Sequence, residues 1–141
     1  MNQPSMAHLS ATSHAAQPHE YSYYLLCDLI RNFAHSHSLE HYVHPEITQI
    51  AAEDNRGDNH LLLSLYYYLL NDKSYHQCSE KLFIHRNTFA YRIKKVLSLL
   101  ETDINDENNR LSLLLSICMY WYLHPEQDPI GISNWNKDNT R

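Results

Sequence analysis

The chain has 141 residues, room for one domain of ordinary size. Hydrophobic residues make up 43%, and only two glycines occur, Gly57 and Gly131, which counts against an all-β fold and favours helices. The formal net charge of −5 argues against general polyanion binding, yet six cations meet one anion, Glu80, between Lys73 and Lys95, a net +5 in 23 residues that leaves −10 for the remainder.

Residues 1–18 (MNQPSMAHLSATSHAAQP) lack periodicity and predict a disordered N-terminal arm. The first 20 residues hold no Lys or Arg and no apolar run, so no secretory signal is read there, and no stretch reaches transmembrane length. Residues 19–123 read as one helical domain. Leu25, Leu26, Leu29, Ile30 and Phe33 share one helical face. Pro45 suits the first position of a short helix carrying Ile47, Ile50 and Ala51. Residues 54–59 (DNRGDN) form a polar break, and 61–70 (LLLSLYYYLL) a strongly apolar helix that Asn71-Asp72 ends.

Ser74 and Gln77 match a capping box. The helix they open is expected to bury Tyr75, Cys78, Ser79 and Leu82 and to stop near Phe83. Residues 86–100 form the next helix, with Phe89, Ile93, Val96, Leu97 and Leu100 within about a 100° arc as a core stripe. Asn87, Thr88, Tyr91, Lys94, Lys95 and Ser98 occupy the opposite arc, Arg86 sits at the helix start, and Arg92 flanks the stripe. Asp106 is the expected N-cap of a last helix that buries Leu111, Leu114, Leu115, Cys118, Met119 and Tyr122. Pro125 ends that helix, because the residue before a proline is pushed from the α region. Residues 124–141 read as a C-terminal tail from which Ile130, Ile132 and Trp135 can dock. The fold class is therefore all-α, with five to six helices and a helix-turn-helix at about 74–98.

A compact basic patch on an acidic body is the charge pattern of a nucleic-acid reader; a solvated amphipathic helix gives the same pattern without a ligand. The residue types favour the first reading. Arg gives two hydrogen bonds to guanine O6 and N7, Asn pairs with adenine N6 and N7, and a Thr methyl meets that of thymine. In a helix-turn-helix the second helix puts its first residues at base edges, which is where Arg86, Asn87 and Thr88 lie. Tyr91 lies on the same face. Arg92, Lys94 and Lys95, with Lys73, Ser74 and His76 at the start of the first motif helix, are placed to hold phosphates. His85 is expected to cap the turn between the two helices, or else to touch a phosphate.

Residues 64–113 resemble the C-terminal helix-turn-helix domain of the PucR/CdaR family of bacterial transcriptional regulators. The resemblance rests on Ser64-Leu65, Tyr68-Leu69, Ser79 and Leu82, on HRNTFAYRI (85–93), and on Asp103, Asp106 and Arg110-Leu111. It implies sequence-specific binding to promoter DNA through this domain. Ala90 stands where many members carry a longer polar residue, so one potential DNA contact is expected to be absent. Glu101 stands where a glycine usually ends the recognition helix, so that helix is expected to end differently. Residues 1–58 are too short for the usual upstream sensor domain, which suggests a stand-alone output domain or a truncated regulator.

Other chemistries have weaker support. Of His35, His37, His41 and His44, only His37 and His41 stand four apart, and no Cys lies at ligand spacing, so no metal site is assigned. Cys27, Cys78 and Cys118 are odd in number and far apart, which predicts reduced thiols and a cytoplasmic protein. The triplets Tyr66-Tyr67-Tyr68 and Tyr120-Trp121-Tyr122 are assigned to packing, because neighbours on a helix face different ways. No glycine-rich phosphate loop, nucleophile elbow or carboxylate pair suggests an enzyme, and no cofactor is implied. The expectation is a bacterial, cytoplasmic transcriptional regulator that binds double-stranded DNA as a homodimer, with no membrane partner and no effector named. The dimer interface is sought on the helix at 20–36 or on the last helix and its Trp-bearing tail. The alternative is a helical protein-interaction module, an adaptor or anti-activator, without DNA contact.

Overall fold

The computed structural model describes the backbone of residues 18–57 and 60–134, with side chains from Tyr23 onward. The expected N-terminal arm, apart from Pro18, lies outside the described residues, as do Trp135 and the end of the tail. Among the described residues there are six α-helices and no strand: α1 (Pro18–Ser36), α2 (Pro45–Gly57), α3 (Leu61–Leu70), α4 (Tyr75–Leu82), α5 (Arg86–Leu99) and α6 (Glu107–Leu123). Short 3-10 turns span Leu39–His41, Pro125–Gln127 and Ile132–Asn134. The all-α expectation holds. None of these helices is long and apolar enough to cross a membrane.

The most apolar segment becomes the central strut. Leu61, Leu62, Leu65, Tyr68 and Leu69 of α3 are buried, and α3 packs against α2, α4, α5 and α6. Ile47, Ile50 and Ala51 of α2 join the same core, as expected from their spacing. The polar break is shorter than the sequence implies, since α2 runs to Gly57. Asp54 lies inside that helix, and its carboxylate accepts the N–H groups of Leu61 and Leu62. It thereby satisfies two of the orphan donors that open α3. The tyrosine triplet packs: Tyr66 meets Trp121 edge to face at 5.2 Å, and Tyr68 lies beside Tyr75 and Phe89.

Three expected faces are corrected. In α1, Cys27 and Ile30 enter the core, while Leu29 is 60% exposed and Leu25 is also exposed. In α6 the buried residues are Leu113, Ser116, Ile117, Cys118, Tyr120 and Trp121. Leu111 is 59% exposed, Leu115 is exposed, and Leu114, Met119 and Tyr122 are only partly buried. Because α6 is apolar almost all round, periodicity alone leaves its orientation open. One deciding contact is Ser116, whose hydroxyl accepts the His44 N–H at 3.1 Å and so faces inward to satisfy the loop before α2. In α5, Leu97 is exposed and Leu100 half-buried, so the core stripe narrows to Phe89, Ile93 and Val96.

The described part of the tail is docked. Ile132 is fully buried against α6. The Asp128 carboxylate accepts the N–H groups of Ile130, Gly131 and Ser133, and Tyr23 donates its hydroxyl to the Ile130 carbonyl at 2.7 Å. Gly131 has φ of +80°, a left-handed turn that only glycine adopts without strain. The three cysteines are free and buried, and burial pushes the Cys118 thiol up to about 12.

Candidate nucleic-acid interface

Helices α4 and α5 are built by local signals and joined through residues 83–85. The Ser74 hydroxyl accepts the Gln77 N–H at 3.2 Å and opens α4. Phe83 ends α4 in the left-handed region, with φ of 56°. The Ile84 N–H returns to the Ser79 carbonyl at 3.1 Å, which turns the chain sharply. His85 then caps α5, its Nδ1 accepting the Asn87 N–H at 3.0 Å. Of its two expected roles, the structure displays the capping one.

Phe89, Ile93 and Val96 are fully buried on the inner side of α5. Phe89 meets Tyr75 edge to face at 5.5 Å, which locks α4 against α5. With that side fixed, Arg86, Asn87 and Thr88 stand exposed on the first turn, and Tyr91 is 65% exposed one turn on. Lys94 and Ser98 extend the exposed face, and Arg92 is half-buried at its edge. The N-terminus of α5 adds the positive end of the helix dipole to the Arg86 charge. Among the described residues, Arg86, Arg92 and Lys94 have no carboxylate at ion-pairing distance.

The remaining predicted contacts are more committed. Lys95 is half-buried, and its Nζ lies 3.6 Å from a Glu53 carboxylate oxygen. Glu53 also pairs with Arg56. Lys95 is thus directed to α2. Lys73 takes a left-handed conformation and donates to the Asn105 side chain at 2.7 Å. Ser74 is engaged in its cap. His76 is exposed at the start of α4, with its ring 3.1 Å from Glu80 one turn on. The structure thus leaves Arg86, Asn87, Thr88, Tyr91 and Lys94 exposed along α5, with Arg92 half-buried at the flank of its core stripe, and ties Lys73 and Lys95 to neighbouring elements.

Sequence reading missed Glu46, which comes from the first turn of α2. Its carboxylate accepts the N–H groups of Glu101 and Thr102 and the Thr102 hydroxyl. Burial alone would raise its pKa, but these hydrogen bonds, with the nearby His44, hold it below the ordinary carboxylate value. The HPEI string (44–47) offered a helix start, and only the tertiary fold shows what its acid binds.

A cavity of 390 Å³ beside α3 is lined by residues including Asp54, His60, Trp121 and Asp128. Both of these aspartates are engaged by backbone N–H groups. His37 stacks on Phe33 with ring centroids 4.1 Å apart. Among the described residues, no three His, Cys, Asp or Glu side chains gather as metal ligands would.

The family model described as the PucR C-terminal helix-turn-helix domain matches residues 61–118, which spans α3 to most of α6. Over 102 residues the chain is 28% identical to the proline-responsive transcriptional activator PutR of Bacillus subtilis (strain 168). The match covers 72% of this chain and 25% of PutR, so the chain spans about a quarter of that relative's length. No solved structure matches the chain.

Proposed function

We propose, from the match of residues 61–118 to the PucR C-terminal helix-turn-helix domain, that the protein is a bacterial transcriptional regulator that binds double-stranded DNA sequence-specifically, with α5 as its recognition helix. One observation carries the reading: α5 buries Phe89, Ile93 and Val96 fully while its first turn, Arg86, Asn87 and Thr88, stays open to solvent. That surface admits a duplex, and its residue types match major-groove base edges. Tyr91 extends the base-facing surface. Arg92 and Lys94 grip phosphates, and His76 and the N-terminal end of α4 meet the neighbouring backbone strand. Lys73 and Lys95 act chiefly through Asn105 and Glu53, bracing the motif.

A single motif reads few bases, and two copies placed one DNA turn apart read more. The exposed apolar residues Leu25 and Leu29 of α1, Tyr42, and Leu111 and Leu115 of α6 support homodimerisation. The reading assigns the chain no catalytic step and a cytoplasmic location. The test is a shift assay on random duplex DNA at two salt concentrations. A regulator of this kind binds at low salt and weakens steeply as salt rises, because phosphate contacts release counterions. Absence of binding at both concentrations would leave the adaptor alternative standing.

A further inference from the structure

The end of α5 is built from outside the motif. The helix stops at Leu99, and Leu100 is extended, with φ of −93° and ψ of 127°. No left-handed residue closes it. Instead the next two backbone N–H groups, of Glu101 and Thr102, both donate to the Glu46 carboxylate, as does the Thr102 hydroxyl. Three donors thus converge on one side chain, 12% exposed, more than fifty residues earlier in the chain. Glu46 is itself anchored: its N–H donates to His44 Nδ1 at 3.2 Å, and the His44 N–H donates to Ser116 of α6. One turn from its C-terminal end, α5 meets α2 again through Lys95 and Glu53. Helix α2 therefore holds the rear half of α5 at two points, while the first turn, packed on α4 through Phe89, leaves Arg86, Asn87 and Thr88 open to solvent.

We propose that Glu46 is a positioning residue for base reading, its carboxylate pinning the chain just beyond α5, where no left-handed turn closes the helix, and setting the tilt of α5 against the domain. The proposal rests on the DNA-binding reading above. Helix α5 has 14 residues, about 21 Å at 1.5 Å per residue, so a tilt of roughly 10° at its rear moves the front turn by about 3 to 4 Å. Hydrogen bonds to base edges do not survive such a shift, whereas long lysine side chains reaching phosphates adapt to it. Glu46 therefore controls discrimination between sequences more than overall adhesion. Glu46→Gln keeps the size of the side chain but removes its charge and turns an amide donor toward backbone donors.

The test compares the unaltered 141-residue chain, Glu46→Gln and Ile50→Val, a packing control from the same helix. Each is titrated with a duplex recovered from a random pool by the unaltered protein and with a random duplex of equal length, at a temperature where circular dichroism shows all three folded. Glu46→Gln should bind the selected duplex about tenfold more weakly and the random one within about twofold of the unaltered protein. Ile50→Val should leave that ratio unchanged. Equal weakening on both duplexes, or none on either, overturns the proposal. Amide resonances provide a readout without DNA: those of Arg86, Asn87 and Thr88 should move in Glu46→Gln and stay in Ile50→Val. Unmoved resonances sink the positioning role even if the protein binds DNA. If the unaltered chain binds no duplex while those resonances move, the DNA reading fails and the structural lever remains.

Discussion

The face of α5 and the face shared by α1 and α6 are built in opposite senses. In α5 every strongly apolar position of the stripe from Phe89 to Val96 is inside, and the outside is Arg, Asn, Thr, Tyr and Lys. In α6 a serine points inward to serve a loop, while Leu111 and Leu115 point outward, Leu115 lining an apolar groove with Leu29 of α1. The difference separates two kinds of partner. A face with unpaired cations and amide groups suits phosphates and base edges, and a face without charge suits another apolar surface. Each region exposes the chemistry that the fold itself leaves unused.

The contrast breaks first on stability. Phe89→Ala empties a fully buried aromatic site and should cost about 3 to 5 kcal/mol in denaturant unfolding. Leu111→Ala, an equally apolar change on an exposed helix face, should stay within about 0.5 kcal/mol. Comparable losses would mean that the outer face of α6 is part of the folded core. Association sharpens the second region next. Leu29→Glu together with Leu115→Glu should leave the helical content intact and weaken self-association by about tenfold or more, measured by sedimentation. A species that stays monomeric with or without these changes removes the dimer from the account. The finest distinction lies within α5. Lys94→Ala should lower the salt slope of DNA binding by about 0.9, the value of one phosphate contact. Lys95→Ala should lower it less, because Glu53 already holds that ammonium group. Equal slopes would show that the Glu53 pair opens on DNA.

What the sequence made legible was local. Ser74 and Asp106 were readable as caps because their partners, Gln77 and Asn109, sit three residues on. The amphipathic stripe of α5 was readable because polar residues border it on both sides. Leu97 misled because a leucine at the stripe's margin fits either face until the neighbouring helix is placed. The inner face of α6 was not readable, since leucine, isoleucine and aromatics surround that helix and only the loop at 42–44 selects Ser116 for the interior. The same limit hid the partners of the candidate site. Lys95 looked like a phosphate contact because Glu53, 42 residues earlier, leaves no trace in the local pattern. Glu101 announced an unusual helix end, but its solution, the Glu46 carboxylate, came from another helix.

The central claim is that the first turn of α5 reads base edges in the major groove. The most direct measurement is methylation interference at guanine N7 on a duplex selected by the unaltered protein. Methylating a guanine that Arg86 contacts should block binding at one position per half-site, and that block should vanish for Arg86→Ala while interference elsewhere persists. An identical interference pattern in both proteins, or binding indifferent to every guanine N7, would contradict the account.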